Sequence, residues 1–264
     1  MDSRDGVEIH FETEGTGDTA LVFVHGWSCD RGYWKHQLDH FASNHLVVTL
    51  DLAGHGESGL DRKNWTLQGF VDDLVAVVEA LHLKKAVLVG HSMGGDVIVE
   101  AAKLLGDRIV GLVWVDVYRQ LGHPSPPEQT ERFLAPFRAD FARTTNRFVR
   151  GMFLPDSDKA PVDWVAADMS AGEEVALKIL EVNLRPFERQ VTNTLSSLRA
   201  PIVSINPDYR PVDVAGLLRH GVRVIPMPAV GHFPIMEKPD FFNQVLSKVI
   251  EELVEPNAKR KRGL

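Results

Sequence analysis

Short apolar runs rich in Val and Leu recur along this chain at residues 21–24, 46–50, 86–89, 110–115, 202–205 and 222–225. Nearly continuous runs of this length mark strands buried on both faces, the pattern of a parallel sheet flanked by helices. Residues 7–11 read differently. They alternate apolar and polar positions and stop before the turn cluster Gly15-Thr16-Gly17-Asp18, which predicts an exposed opening strand. Helical spacing fills the intervals. Leu67, Phe70, Leu74, Val77, Val78 and Leu81 recur every three or four positions behind Thr66, a residue suited to cap a helix N-terminus. Helices are also predicted over 93–105 and 241–253. Strand and helix repeated in this order imply an α/β protein, with a mostly parallel, doubly wound sheet and right-handed crossovers.

The alternation stops between residues 117 and 198. This stretch opens on His123-Pro124-Ser125-Pro126-Pro127 and holds six of the chain's 13 Phe: Phe133, Phe137, Phe141, Phe148, Phe153 and Phe187. Phe133, Phe137 and Phe141 are four residues apart, a spacing that puts them on one side of a helix. A helical segment of this length between two sheet strands is too long for a loop and is expected to form a cap. The expected organisation is a core domain of residues 1–117 and 199–264 and a helical cap (lid) insertion of 118–198.

Composition narrows the function classes. In 264 residues there are 29 Lys+Arg against 36 Asp+Glu, a formal net charge of −7. An acidic chain is a poor match for nucleic acid, which wants a basic face. The run Lys259-Arg260-Lys261-Arg262 is the local exception and reads as a solvated tail. The one cysteine, Cys29, allows no internal disulfide and is expected to pack as a small apolar residue. The opening residues Met1-Asp2-Ser3-Arg4-Asp5 lack the apolar stretch of a signal peptide, and no segment has the length and apolarity of a membrane span. The expectation is a cytoplasmic protein with no membrane or nucleic-acid partner, a monomer or homodimer. No H-E-x-x-H or C-x-x-C pair and no dinucleotide fingerprint is present, so neither a metal nor a cofactor is expected.

The chemistry concentrates at Gly90-His91-Ser92-Met93-Gly94-Gly95, after the apolar run 86–89 and before the helical run 93–105. G-x-S-x-G between a strand and a helix is a nucleophile elbow: the reversal forces serine into a strained conformation, and glycines on either side remove the clashes. Further signatures follow other strands: His25-Gly26-Trp27, then Asp51-Leu52-Ala53-Gly54-His55-Gly56-Glu57-Ser58, then Gly231-His232-Phe233-Pro234.

With these motifs in this order, the chain resembles the α/β-hydrolase fold family over nearly its whole length, in particular its capped, esterase-like members with a serine nucleophile. The resemblance implies Ser92 as nucleophile, His232 as its base, and an oxyanion hole from the backbone N–H groups of Trp27 and Met93, with His25 and His91 in structural positions. The family's acid commonly follows the strand corresponding to 202–205, where Asp208 in Asn206-Pro207-Asp208-Tyr209 is the nearest match and Asp213 begins the next helix. A second family location, the end of the preceding strand, is held by Asp116; Asp208 is the expected acid and Asp116 the alternative. Dehalogenases and epoxide hydrolases of the fold carry aspartate at the elbow, and Ser92 argues against both. The function implied is hydrolysis of small carboxylic esters or lactones through an acyl-enzyme. Two alternatives use the same residues: a carbon–carbon bond hydrolase of ring-cleavage products, for whose acidic substrate Arg119 and Arg138 are candidates, and a slow-turnover receptor of the hydrolase type.

Overall fold

The computed structural model describes residues 1–121, 126–183 and 187–255. The tail run 259–262, the 123–125 part of the Pro-rich stretch and the Phe187 side chain lie outside the described residues. Seven strands form one sheet. They are β1 (Phe11–Glu14), β2 (Ala20–Val24), β3 (Leu46–Leu50), β4 (Ala86–His91), β5 (Ile109–Val115), β6 (Ile202–Pro207) and β7 (Val222–Met227). Their order is β1-β3-β2-β4-β5-β6-β7, and every pairing is parallel except that of β1 with β3.

The apolar runs become the parallel strands. Every residue of β2 and β4 is buried, as strands covered on both faces must be. The opening strand is displaced from its sequence pattern. Val7 and Ile9 do turn inward, but residues 7–10 form only the isolated Asp2–Glu8 bridge, and β1 proper starts at Phe11, opposite Leu50. Alternation reported the buried face here, not the ladder.

Helices α1 (Lys35–Phe41), α2 (Leu67–Ala80) and α3 (Met93–Leu105) connect the first strands, and Thr66 caps α2 by accepting from the Gly69 N–H at 3.1 Å. Between β5 and β6 stand α4 (Pro127–Ala139), α5 (Phe141–Arg150), α6 (Lys159–Asp168), α7 (Glu173–Asn183) and α8 (Phe187–Leu195). The chain closes with α9 (Val214–Arg219), α10 (Pro234–Glu237) and α11 (Pro239–Val254). On β5, Trp114 donates its indole N–H to the Gly95 carbonyl of α3 at 3.0 Å, while Gly111, three positions earlier and on the opposite face, lies against Leu253 of α11. The sheet is therefore covered on both sides. Among the described residues no helix is long and apolar enough to cross a membrane.

The three phenylalanines expected on one helix are divided. Asp140, in an extended conformation, accepts from the Arg143 N–H at 3.1 Å and so caps α5, leaving Phe133 and Phe137 on α4 and Phe141 on α5. Spacing alone does not register a cap in mid-run. The rings still cluster, with Phe137 and Phe141 6.4 Å apart.

Candidate active site

Parallel strands deliver their C-terminal ends to one edge, and the site is assembled there. Val24 pairs with Gly90, and His91 with Val115. The segments leaving β2, β4 and β5 (Gly26-Trp27, Ser92 and Asp116) thus emerge side by side.

Ser92 joins β4 to α3 with φ 50° and ψ −121°, a left-handed backbone that is costly for any residue with a Cβ. The close quarters explain the glycines. A Cβ on Gly90 would sit 2.5 Å from the Gly94 carbonyl oxygen, one on Gly94 2.6 Å from that of His25, and one on Gly26 3.1 Å from the Ser92 Cβ. Serine at a helix N-cap ordinarily turns its hydroxyl back onto the first turn. Here it makes no such bond, and among the described residues none links its Oγ to His232. The bonds of catalytic groups are often formed only once substrate is seated.

His232 sits in the loop after β7. Its Nδ1 donates to the Asp116 Oδ2 at 2.7 Å. Asp116, 4% exposed and itself at φ 46°, gathers further donors: Arg119 Nη2 reaches its Oδ1 at 2.7 Å, and the Tyr209 hydroxyl its Oδ2 at 3.1 Å. Burial works to raise the Asp116 pKa, but the bond from His232 and the charges of His232 and Arg119 outweigh it, so the group lies below the usual carboxylate value. Tyr209 is pushed up to about 12, first by burial and then by the Asp116 charge, and remains a donor.

Asp208 is elsewhere. Exposed on the β6 loop, it accepts from the Ala229 N–H at 3.2 Å, while Asp213 caps α9 through the Gly216 N–H at 2.8 Å. The geometry therefore corrects the preference for Asp208: the residue of the β6 loop that reaches the Asp116–His232 pair is Tyr209. Two residues beside the pair had no part in the sequence assignment. Tyr209 carried no recognisable signal, and Arg119 was noticed only as a candidate substrate group.

The His232 loop is held on several sides. Its N–H donates to the Met152 carbonyl at 2.9 Å, and Glu237 accepts from the N–H groups of Gly231 (3.1 Å) and Phe233 (3.2 Å). His91 donates its Nε2–H to the His232 carbonyl at 2.9 Å; burial, helped by the nearby His232, lowers its pKa to about 3 and keeps it neutral. His25 is likewise structural, accepting the Leu52 N–H at 3.0 Å. Trp27 donates its indole N–H to the Ala176 carbonyl of α7 at 2.8 Å, and its ring meets Phe137 and Phe141 edge-on, each at 6.1 Å. Met93 opens α3 directly after Ser92. Cys29 is buried, and burial above all holds its thiol far above its ordinary pKa, so it is inert. His10, Asp51 and Glu57 lie close enough to suggest a metal site, but the Arg31 guanidinium pairs with both carboxylates and supplies the positive charge there.

A cavity of about 560 Å³ opens on His232 and Asp116 between α4, α5 and the β6 loop, floored by Phe133, Phe137, Phe148 and Met152. Ser92 is not part of its lining.

A seven-stranded sheet with an antiparallel edge, a strained serine between a central strand and a helix, and a histidine–carboxylate pair on neighbouring loops define an α/β protein with a nucleophile elbow. The model of the alpha/beta hydrolase family matches residues 21–245, and the chain belongs to that family. It is 29% identical over 243 residues to the dihydrolipoyllysine-residue acetyltransferase component of the acetoin cleaving system of Pseudomonas putida, covering 89% of this chain but 64% of that one. It thus spans less than two thirds of that relative's length. With a pimeloyl-[acyl-carrier protein] methyl ester esterase of Pectobacterium carotovorum it shares 25% identity over 253 residues, covering 89% of this chain and 96% of the relative. Among solved structures, Est816, described as an N-acyl homoserine lactone degrading enzyme, superposes with a TM-score of 0.79 at 26% identity, over 94% of this chain and 98% of that one.

Proposed function

We propose that this chain is a serine hydrolase of carboxylic esters or lactones that works through an acyl-enzyme on Ser92. The observation that carries the proposal is the 2.7 Å bond from His232 Nδ1 to the buried Asp116, beside a serine held at φ 50° on a nucleophile elbow. With Nδ1 committed as a donor, Nε2 is left unprotonated and is the working base.

In this reading the Ser92 oxygen attacks the substrate carbonyl carbon while His232 Nε2 accepts the hydroxyl proton. The backbone N–H groups of Trp27 and Met93 receive the developing oxyanion. Asp116 stays ionised and stabilises the imidazolium without taking its proton. The carbon–oxygen bond to the alcohol then breaks, and the alcohol leaves with the proton from His232. Water repeats the sequence on the acyl-enzyme and frees Ser92. The helical insertion of 118–198 acts as a cap over this edge, joined to the core at Trp27, Ser28, Tyr33 and His232 among other places. Relatives named for ester and lactone cleavage support the substrate class.

Turnover of p-nitrophenyl esters of two to eight acyl carbons tests the proposal. Multiple turnovers, reduced at least about a thousandfold by Ser92→Ala, are expected; turnover unaffected by that substitution removes it.

A further inference from the structure

The cavity beside His232 is apolar at its floor and cationic at its walls. Arg119, Arg132, Arg147 and Arg210 all line it, and among the described residues its one acid is Asp116. Asp116 has no charge to spare, since its oxygens already receive His232, Arg119 and Tyr209. Arg119 is equally committed. Besides its bond to Asp116, it donates to the carbonyls of Pro207 (3.2 Å) and Arg210 (2.7 Å) and lies over the Tyr209 ring at 4.3 Å.

The other three are different. Among the described residues the guanidinium groups of Arg132, Arg147 and Arg210 form neither ion pair nor hydrogen bond, Arg210 only lying 5.3 Å over the Tyr209 ring. Other arginines of the same helices are paired. On α4, Arg138 points away and pairs with Glu131 and Glu181; on α5, Arg150 pairs with Asp163. Three guanidinium groups thus line the cavity without an acidic partner among the described residues, in a chain whose net charge is −7. This also divides the two arginines noted in the sequence: Arg119 reaches the cavity as a scaffold for Asp116, and Arg138 does not reach it.

Uncompensated guanidinium groups around an apolar floor attract a ligand with an apolar body and an anionic end, and their planar fork suits a carboxylate. The volume is that of a small-molecule site. We infer that the substrate is a small ester bearing a second, carboxylate group, which Arg132, Arg147 and Arg210 hold in the cavity next to His232 while the ester faces Ser92. This rests on the hydrolase reading for the ester, but not for the anion.

The test uses matched pairs of esters. 4-Acetoxybenzoate is compared with 4-acetoxybenzamide, and monomethyl glutarate with its monoamide, so that the charge lies on the alcohol side in one pair and the acyl side in the other. In at least one pair, Arg132→Gln/Arg147→Gln and Arg210→Gln should lower kcat/KM for the anion by about tenfold or more and leave its neutral partner within about twofold. Loss that is equal for both members of each pair, or absent from both, overturns the inference. Calorimetric titration with 4-hydroxybenzoate and glutarate separates the two readings. If no ester is turned over but binding of either anion is weakened by the arginine substitutions and by salt, the hydrolase reading falls and the carboxylate site stands. If neither anion binds in an arginine-dependent way, the site falls, whatever the esters do. The arginines are exposed, so the variants are expected to fold.

Discussion

Asp116 is buried among three donors, His232, Arg119 and Tyr209. A carboxylate shut away from water at this depth is costly unless its oxygens are satisfied, and His232, Arg119 and Tyr209 satisfy them. Asp116→Asn replaces one acceptor by a donor facing the His232 Nδ1–H, which drives the ring to the wrong tautomer. Activity toward esters is expected to fall about a thousandfold or more, while Asp208→Asn, at an exposed loop position, should change it by less than about threefold; steady-state kinetics on both variants checks this. The bend at Ser92 and the loop of His232 could be read from the sequence because each sits in a local motif whose glycine or strand context shows in neighbouring residues. The carboxylate that meets His232 could not, because its place is set by the His91–Val115 register and by Tyr209 of the β6 loop, and neither leaves a mark on the residues adjacent to Asp116.

At the scale of elements, the turn from β4 into α3 depends on how closely the chain passes itself. Gly94 lies under the carbonyls of Val24 and His25, so an added methyl must displace backbone of β2 and its following loop. Gly94→Ala is expected to cost about 1–3 kcal/mol in urea unfolding and to lower activity further than stability alone explains, since Trp27 stands on the displaced loop. Wild-type stability in that variant would contradict the packing described. The buried parallel strands were readable from their apolar runs because burial on both faces leaves few other compositions. Where one face meets solvent the pattern was less informative: inward-facing Val7 and Ile9 precede the paired residues of β1, and Asp140 breaks a phenylalanine row that spacing alone made continuous.

For the whole molecule, buried neutral histidines link folding to pH. Burial first of all depresses His55 and His91 to about 3 and lowers His25, each from 6.5. Below 6.5 the unfolded chain takes up protons that the folded chain refuses, so stability falls as pH falls through that window, by up to about 1.4 kcal/mol per pH unit for each histidine. Asp116, with its folded value below 3.8, adds stability that is present above 3.8 and is lost only at more acid pH. The urea midpoint is therefore expected to drop between pH 7 and 5, and to drop less in His91→Gln; a midpoint flat across this range contradicts the burial assigned to these rings.

The central claim is that Ser92 is activated by the His232–Asp116 pair, and the rate at which a fluorophosphonate labels the protein tests it most directly. Intact-mass kinetics with peptide mapping should place one phosphonyl group on Ser92, none on Ser92→Ala, and a rate slowed at least about a hundredfold in Asp116→Asn but not in Asp208→Asn. Labelling at another residue, or at Ser92 with a rate indifferent to Asp116, would contradict it.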